Sequence, residues 1–254
     1  MIRRFLKTLA YFFRVPRALS EYRLWGYLFA PGLVSLLLSC SIFYGIYLTS
    51  GFLFEWIDTK VNVPWAWLDA TVNWSAAILS FVLLAFLFVL IHKHIVLVLL
   101  APFLGRLSEM TVRRMEGERF VPRLSFFQSI NRSARVNLSN LVVEISLSLL
   151  FFVSGLLIPL IGSFLATACI FLTESRFAGY GLMDFPLEYR GYDTDKSFQF
   201  AKTHRPEATA LGTGYIGILS IPVIGWMLAP TFATVAGTLA TMEELNAQNV
   251  TVPE

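Results

Sequence analysis

Charge, cysteine and histidine are all scarce in this chain, and each shortage removes a class of function. Charged residues make up 15% of the sequence, against about 25% for an ordinary soluble domain. The net charge of +3 is too small to indicate a nucleic-acid partner. Two cysteines, Cys40 and Cys169, both fall within apolar runs and read as small buried hydrophobes rather than a disulfide framework. Of the three histidines, His92 and His94 stand two apart, which directs them to different faces of a helix. With no third ligand nearby, no metal is expected. His204 lies among Lys202 and Arg205 and reads as a surface residue. There is no phosphate-binding loop and no nucleophile motif, and Gly212-Thr213-Gly214 is too short to claim a nucleotide. The sequence therefore predicts a protein that is not an enzyme and holds no cofactor. Any transport would be driven by gradients or by a partner.

What remains is apolar. Hydrophobic residues form 56% of the chain, mean hydropathy is +0.64, and the apolar runs approach or exceed the ~20 residues that cross a bilayer. Residues 1–19 carry Arg3, Arg4, Lys7, Arg14 and Arg17, with Ile2, Leu6, Leu9 and Phe13 at helical spacing. This pattern predicts an N-terminal amphipathic helix lying in the membrane surface. Arg14, Pro16 and Arg17 interrupt the apolar core that a signal peptide needs. A first transmembrane helix is expected over 27–54, with Pro31 tolerable in its first turn. A second is expected over 65–100, with Trp65, Trp67 and Trp74 at one interface and His92, Lys93 and His94 at the other. Beyond Pro102 the pattern turns amphipathic, with Phe103, Leu107 and Met110 opposite Arg106, Arg113 and Arg114.

Two further apolar stretches, 141–173 and 209–241, share a punctuation mark. Ile158-Pro159-Leu160-Ile161-Gly162 in the first returns as Ile221-Pro222-Val223-Ile224-Gly225 in the second. Proline removes a backbone donor and glycine permits a reversal. Such paired breaks point to the working centre of a transporter. Unbroken, each stretch would be about 50 Å long at 1.5 Å per residue, well beyond a ~30 Å hydrocarbon core. The alternatives are a kinked span or a hairpin that enters and leaves on one side. Charge favours the hairpin. Of the 20 Lys/Arg, residues 1–26 hold six, 92–140 eight and 174–208 five, with only Lys60 between the first two spans. Two spans plus two same-side hairpins put all but Lys60 on the cytoplasmic side. The expected fold is thus an all-α integral membrane protein, with two long transmembrane helices, two hemi-penetrating helical hairpins and an N-terminal amphipathic helix, forming a single membrane domain over 1–254.

Several short motifs are similar to those of the CysZ/etoposide-induced 2.4 protein family, most nearly its bacterial CysZ sulfate permeases. Ala101-Pro102-Phe103 followed by Gly105, Leu107 and Glu109 resembles the family's A-P-F-x-G-x-L-x-E pattern, and Asp184-Phe185-Pro186 its D-[YF]-P element. Lys202 and Arg205, then Leu211-Gly212, follow at similar spacing; Pro222, Pro230 and Gly237-Thr238 resemble the last apolar segment. The resemblance runs from about Ser20 to Met242. It implies two long spans and two hemi-penetrating hairpins in the bacterial inner membrane, multi-pass, with a cytoplasmic N-terminus. It also implies sulfate uptake for cysteine biosynthesis by a homo-oligomer. The family's G-[IL]-R-R-like element before the first span falls here on Arg23, Leu24, Trp25 and Gly26, so neither of its sulfate-linked arginines is present.

Passing an anion requires groups that replace its water: cations, backbone amides or helix N-termini. Candidates are the amides after Gly162, with Ser163, and the same geometry after Gly225. Both ends also need capping for purely structural reasons. Arg17 and Arg23, beside Leu24, can gather anions at the membrane entrance, or simply meet lipid phosphates and set topology. Glu144 is an ionisable group in an apolar run, read either as a functional carboxylate or as a first-turn acid capped by Ser139 or Asn140. Two functions from different classes remain. One is a permease or channel for sulfate or another small anion; the other is a membrane scaffold or remodeller that occupies one leaflet. Membrane lipids are partners in both.

Overall fold

The computed structural model describes residues 1–60, 71, 74–75, 77–78, 80–81, 84, 94–117, 125–158 and 161–251. Its helices are α1 (Ile2–Leu9), α2 (Tyr11–Glu21), α3 (Gly26–Lys60), α4 (Ala101–Glu116), α5 (Phe126–Leu157), α6 (Ile161–Tyr189), α7 (Thr194–Thr203), α8 (Arg205–Leu219) and α9 (Ile224–Thr251). Among the described residues all regular structure is helical. Gly26–Leu53, Phe126–Gly155 and Ile224–Ala247 are each long and apolar enough to cross a membrane. The second span expected over 65–100 lies mostly outside the described residues; within it, residues 94–99 are helical and Trp74 is exposed.

The chain divides into two compact units, Met1–Leu36 with His94–Glu254, and Leu37–Lys93. In the second unit, α3 turns Tyr44, Tyr47, Leu48, Phe52 and Trp56 outward. Its few hydroxyls are satisfied from their own backbone: Ser41 Oγ donates to Leu37 O and Thr49 Oγ1 to Gly45 O, each at 2.8 Å. Back-bonding of this kind lets a polar side chain sit in a lipid-facing helix without an orphan donor.

The N-terminal segment is two helices where the periodicity predicts one over 1–19. The backbone bends at Ala10, and α2 continues to Glu21. It then stops in a six-residue reversal. Leu24 N–H donates to Leu19 O at 2.8 Å and Arg23 N–H to Ser20 O at 3.3 Å, with Arg23 at φ 55°. That is a Schellman cap, in which the left-handed residue is usually glycine and the flanking apolar pair closes the turn. Here the pair is Leu19 and Leu24, both buried. An arginine in this conformation costs about 1 kcal/mol.

Each of the two apolar stretches folds back on itself within the first unit. Helix α5 ends at Leu157 and α6 begins at Ile161. A Cβ on Gly155 would stand 2.6 Å from Ala166 Cβ, so the arms touch at the tip. Arg132 reaches Asp184 at 2.7 Å at the other end, so they stay paired along their length. The second pair, α8 and α9, turns at 220–223, where Val223 takes φ 64° and a Cβ on Gly225 would meet Ile218 O at 1.9 Å. The tips are apolar and open: Leu157, Ile161, Phe164 and Leu165 on one, Ile221, Val223 and Ile224 on the other. The opposite ends are polar and tied together, by Arg4 to Glu207, Lys7 to Glu243 and Arg190 to Glu116.

The two hairpins meet through α6 and α8, whose backbones approach unusually closely. A Cβ on Gly179 would fall 1.8 Å from Ala208 O, and one on Gly212 would fall 1.7 Å from Ser175 O. Both helices present a small-xxx-small face, Ser175 with Gly179 and Ala208 with Gly212, which is how helices approach without a hydrophobic driving force in lipid. The register is antiparallel. Extended along both helices, it brings Leu219 level with Ala168, so both apolar tips lie at one end and both polar feet at the other. Leu97, Leu104, Leu107, Leu182, Met183 and Leu187 fill the core around this contact.

A methyl group at Gly212 has no room, because what it meets is backbone. Gly212→Ala should therefore destabilise the protein by about 3 kcal/mol, the upper end of overpacking costs. Gly217→Ala, where nothing lies within 4 Å, should be near neutral. Melting temperatures of the two variants in detergent, compared with the parent, check the difference; equal melting would refute the close approach.

Candidate functional site

Three polar constellations are built into the first unit. The foot of the first hairpin is organised by Arg132, on the polar start of α5. That helix begins well before the apolar stretch, with a capping box in which Ser125 and Gln128 satisfy each other's backbone. Arg132 Nη2 and Nε donate to the two oxygens of Asp184 at 2.7 and 3.1 Å, Nη2 also to Ser197 Oγ at 3.0 Å, and Nη1 to Tyr192 O at 2.7 Å. Glu188 stands 3.4 Å from the same guanidinium. Burial, reinforced by the Asp184 carboxylate, pushes Glu188 up to about 7 against the pull of Arg132. Asp193 caps α7 by accepting from Lys196 N–H at 2.7 Å, and that hydrogen bond holds its carboxyl below the ordinary range.

On α4, Glu109 is buried between two cations, Arg106 Nη1 at 2.6 Å and Arg113 Nη2 at 2.9 Å. Spacings of three and four residues put all three on one face.

The third constellation corrects one expectation. Glu144 is mid-helix and fully buried, not a first-turn acid capped by Ser139 or Asn140, because α5 begins eighteen residues earlier at Phe126. His94 is buried against it. The imidazole bridges two α5 side chains: Nε2 lies 2.9 Å from Glu144 Oε2 and Nδ1 3.1 Å from Asn137 Oδ1. Asn137 Nδ2 donates to Ser133 O at 2.9 Å, and Ser133 Oγ to Leu97 O at 3.3 Å. Spacing along α5 could have announced this row, since Ser133, Asn137, Asn140, Glu144 and Ser148 recur at three or four residues; all five are buried. The partner on the preceding segment could not be read from spacing.

A hydroxyl face runs along α9. Thr231, Thr234, Thr238 and Thr241 are all fully buried, and Thr238 Oγ1 meets Ser108 Oγ of α4 at 2.8 Å. Thr231 Oγ1 and Thr241 Oγ1 have no partner among the described residues.

The residues singled out from sequence are placed as follows. Arg17 is exposed and faces Glu21 at 4.0 Å; Arg23 is exposed at the left-handed position of the α2 cap, with Leu24 buried beside it. Gly162 and Gly225 are buried at the two tips, where their N–H groups donate to Ile158 O at 3.1 Å and Ile221 O at 2.9 Å. Ser163 is exposed next to Gly162. His204, read as a surface residue, is instead buried and stacked on Phe200 at 4.1 Å. Pro159 and Leu160 of the first pentapeptide lie outside the described residues. Among the described residues no group of three or more His, Cys, Asp or Glu could hold a metal.

The family pattern described as Sulfate transporter CysZ/Etoposide-induced protein 2.4 matches residues 11–230. The chain belongs to that family. No individual curated protein matches it. Membership of this family of transporters, with membrane-embedded helices, makes it a multi-pass membrane protein with a transporter-like function. The family's motif positions serve helix contacts. Asp184 binds Arg132 of α5 and Gly212 admits Ser175 of α6, whereas Glu109 is the exception and pairs within α4 with Arg106 and Arg113. Pro186 cannot donate to Leu182 O, and a Cβ on Gly237 of α9 would stand 3.3 Å from that same carbonyl.

Because the folded Glu188 binds its proton more tightly than the unfolded chain does, the group adds stability below its unfolded pKa of about 4.5. That contribution is lost as pH rises through about 7. Glu188→Gln should flatten the fall in stability over that window and raise stability at pH 8 by roughly 1–3 kcal/mol. Thermal melts of both proteins from pH 4.5 to 8 test this; parallel curves would contradict it.

Proposed function

We propose that the protein is an anion permease or channel of the CysZ type, passing sulfate or a related oxyanion inward across the bacterial inner membrane to supply cysteine synthesis. The observation that carries the reading is the buried hydroxyl face of α9. An unpaired hydroxyl inside a lipid-facing bundle costs about 1–3 kcal/mol, and a scaffold has no use for Thr231 and Thr241 in that position. Thr234 and Thr238 donate to Pro230 O and Thr234 O, each at 2.8 Å. The hydroxyls of Thr231 and Thr241, unpartnered among the described residues, suit an oxyanion, replacing part of its water without a fixed cation to trap it. Membership of a sulfate-transporter family supports the same reading.

In this proposal, 27–54 and 65–100 are full spans, and the α5/α6 and α8/α9 pairs are hairpins that enter from the cytoplasm and return. The common polar end of the feet and the apolar exposed tips support that arrangement. From Leu141 to the tip, α5 rises about 25 Å, short of a ~30 Å core. Arg17 and Arg23 gather anions at the surface, beside Leu24. The tips at Gly162, Ser163 and Gly225 offer amides and a hydroxyl at depth. Two spans and two hairpins are few to enclose a path, so a homo-oligomer is proposed.

Labelled sulfate uptake into proteoliposomes tests transport. The protein should show time-dependent uptake, and Thr231→Val or Thr241→Val should reduce it about fivefold, the effect of one lost hydrogen bond. The exposed Thr167→Val should leave it unchanged. Absence of flux for sulfate and several other anions would favour the leaflet-occupying scaffold, for which the exposed apolar tips are suited. Topology has its own check. A cysteine at Asp193 should label only from the cytoplasmic face; labelling from outside would overturn the hairpins.

A further inference from the structure

A cleft of about 290 Å³ opens at the foot of the first hairpin, between α5, α6 and α7. Helix α5 contributes Arg135, Ser139 and Asn140, α6 contributes Tyr180 and Asp184, and α7 contributes Asp195 and Phe198 among others. Asn140 is only 2% exposed, yet its Nδ2 has no acceptor among the described residues. A buried amide without a partner costs about 1–3 kcal/mol, so a ligand oxygen at this point would relieve a real deficit. Arg135 and Asp195 make no ion pair among the described residues, so one cation and one anion face the cleft uncommitted. Asp184 is different, because both its oxygens are already held by Arg132.

The sign pattern selects the ligand. A bare divalent anion would meet Arg135 and Asn140 but also Asp195. A phosphate that carries its own ammonium meets both signs. Depth narrows the choice further. Asn140 immediately precedes the apolar stretch beginning at Leu141, and Arg135 lies about 9 Å before it along the helix axis. The headgroup layer outside a ~30 Å core is about 5–8 Å thick, so the two residues bracket it. Val136, Phe198 and Ala201 complete the lining with apolar surface, suited to a glycerol backbone and the start of an acyl chain.

We propose that this cleft binds a phospholipid whose headgroup is a phosphodiester bearing a primary ammonium. Arg135 and the Asn140 amide take the phosphate, and Asp195 takes the ammonium. The bound lipid bridges the two arms of the hairpin to α7. The inference does not depend on sulfate transport; it needs only the hairpin foot to lie at the membrane surface.

Native mass spectrometry of the purified full-length protein tests it, with phosphatidylethanolamine and phosphatidylcholine titrated separately. Phosphatidylethanolamine should be retained about tenfold more strongly, since a quaternary ammonium has no N–H to donate to Asp195. Asp195→Asn should erase that preference while leaving phosphatidylcholine binding as it was. Arg135→Gln should weaken both lipids about tenfold. Both positions are exposed, so neither variant threatens the fold. Equal retention of the two lipids by the parent protein, or unchanged retention in both variants, would overturn the proposal. Glycerophosphoethanolamine separates the sources: it should compete only at far higher concentration, and competition at equal concentration would transfer the site to a soluble phosphate ester.

Discussion

The first unit rests on a backbone contact that tolerates no side chain. In water, two helices are pressed together by the apolar surface they bury; in lipid that force is missing, and close van der Waals approach takes its place. Gly179 against Ala208 and Gly212 against Ser175 supply that approach twice, on opposing helices, in one antiparallel register. From this contact follow the level of the two tips, the common end of the feet and the orientation of α9. Gly155 repeats the device inside the first hairpin and Gly32 between α3 and α9, where a Cβ would stand 2.9 Å from Met227 O.

The charged groups follow from that register. Once the feet gather, Arg4, Lys7, Arg132 and Arg190 find carboxylates on neighbouring elements, and Arg132 meets four different partners. Such pairs add little when fully exposed. Arg132 is largely sheltered, however, and its bidentate grip on Asp184 fixes geometry as well as energy. Glu188 shows the cost of packing acids there: with Asp184 already holding the arginine, burial keeps the second carboxyl protonated to about neutral pH.

Local signals made the helical class, the breaks near 158 and 221, and the polar feet legible from residues alone. Proline, glycine and the run of positive charge act over a few positions, and a single sequence displays them. The buried His94–Glu144 bridge joins residues fifty positions apart, and no periodicity reports which helix faces which. The start of α5 was hidden for another reason. Residues 126–140 are polar enough to read as a loop, yet the Ser125 capping box and the row Ser133, Asn137, Asn140 carry the helix through them. His204 failed similarly, since its charged neighbours conceal a ring stacked on Phe200.

The motif positions and the absent arginine pair bear on each other. The resemblance to the family was legible because its motifs are largely packing motifs: the glycines, Pro186 and Asp184 specify how helices meet. Such residues can persist when ligand chemistry changes, because altering them costs the fold rather than the substrate. The element before α3 obeys the same logic. Its glycine position is the left-handed residue of a Schellman cap, and Arg23 occupies it at a cost of about 1 kcal/mol while the reversal itself survives. With Trp25 and Gly26 at the arginine positions, the cap keeps its shape and loses its paired cations. If oxyanions pass through this chain, their water must be replaced largely by neutral donors. The hydroxyls of Thr231 and Thr241 on α9, unpartnered among the described residues, are neutral donors already set inside the bundle.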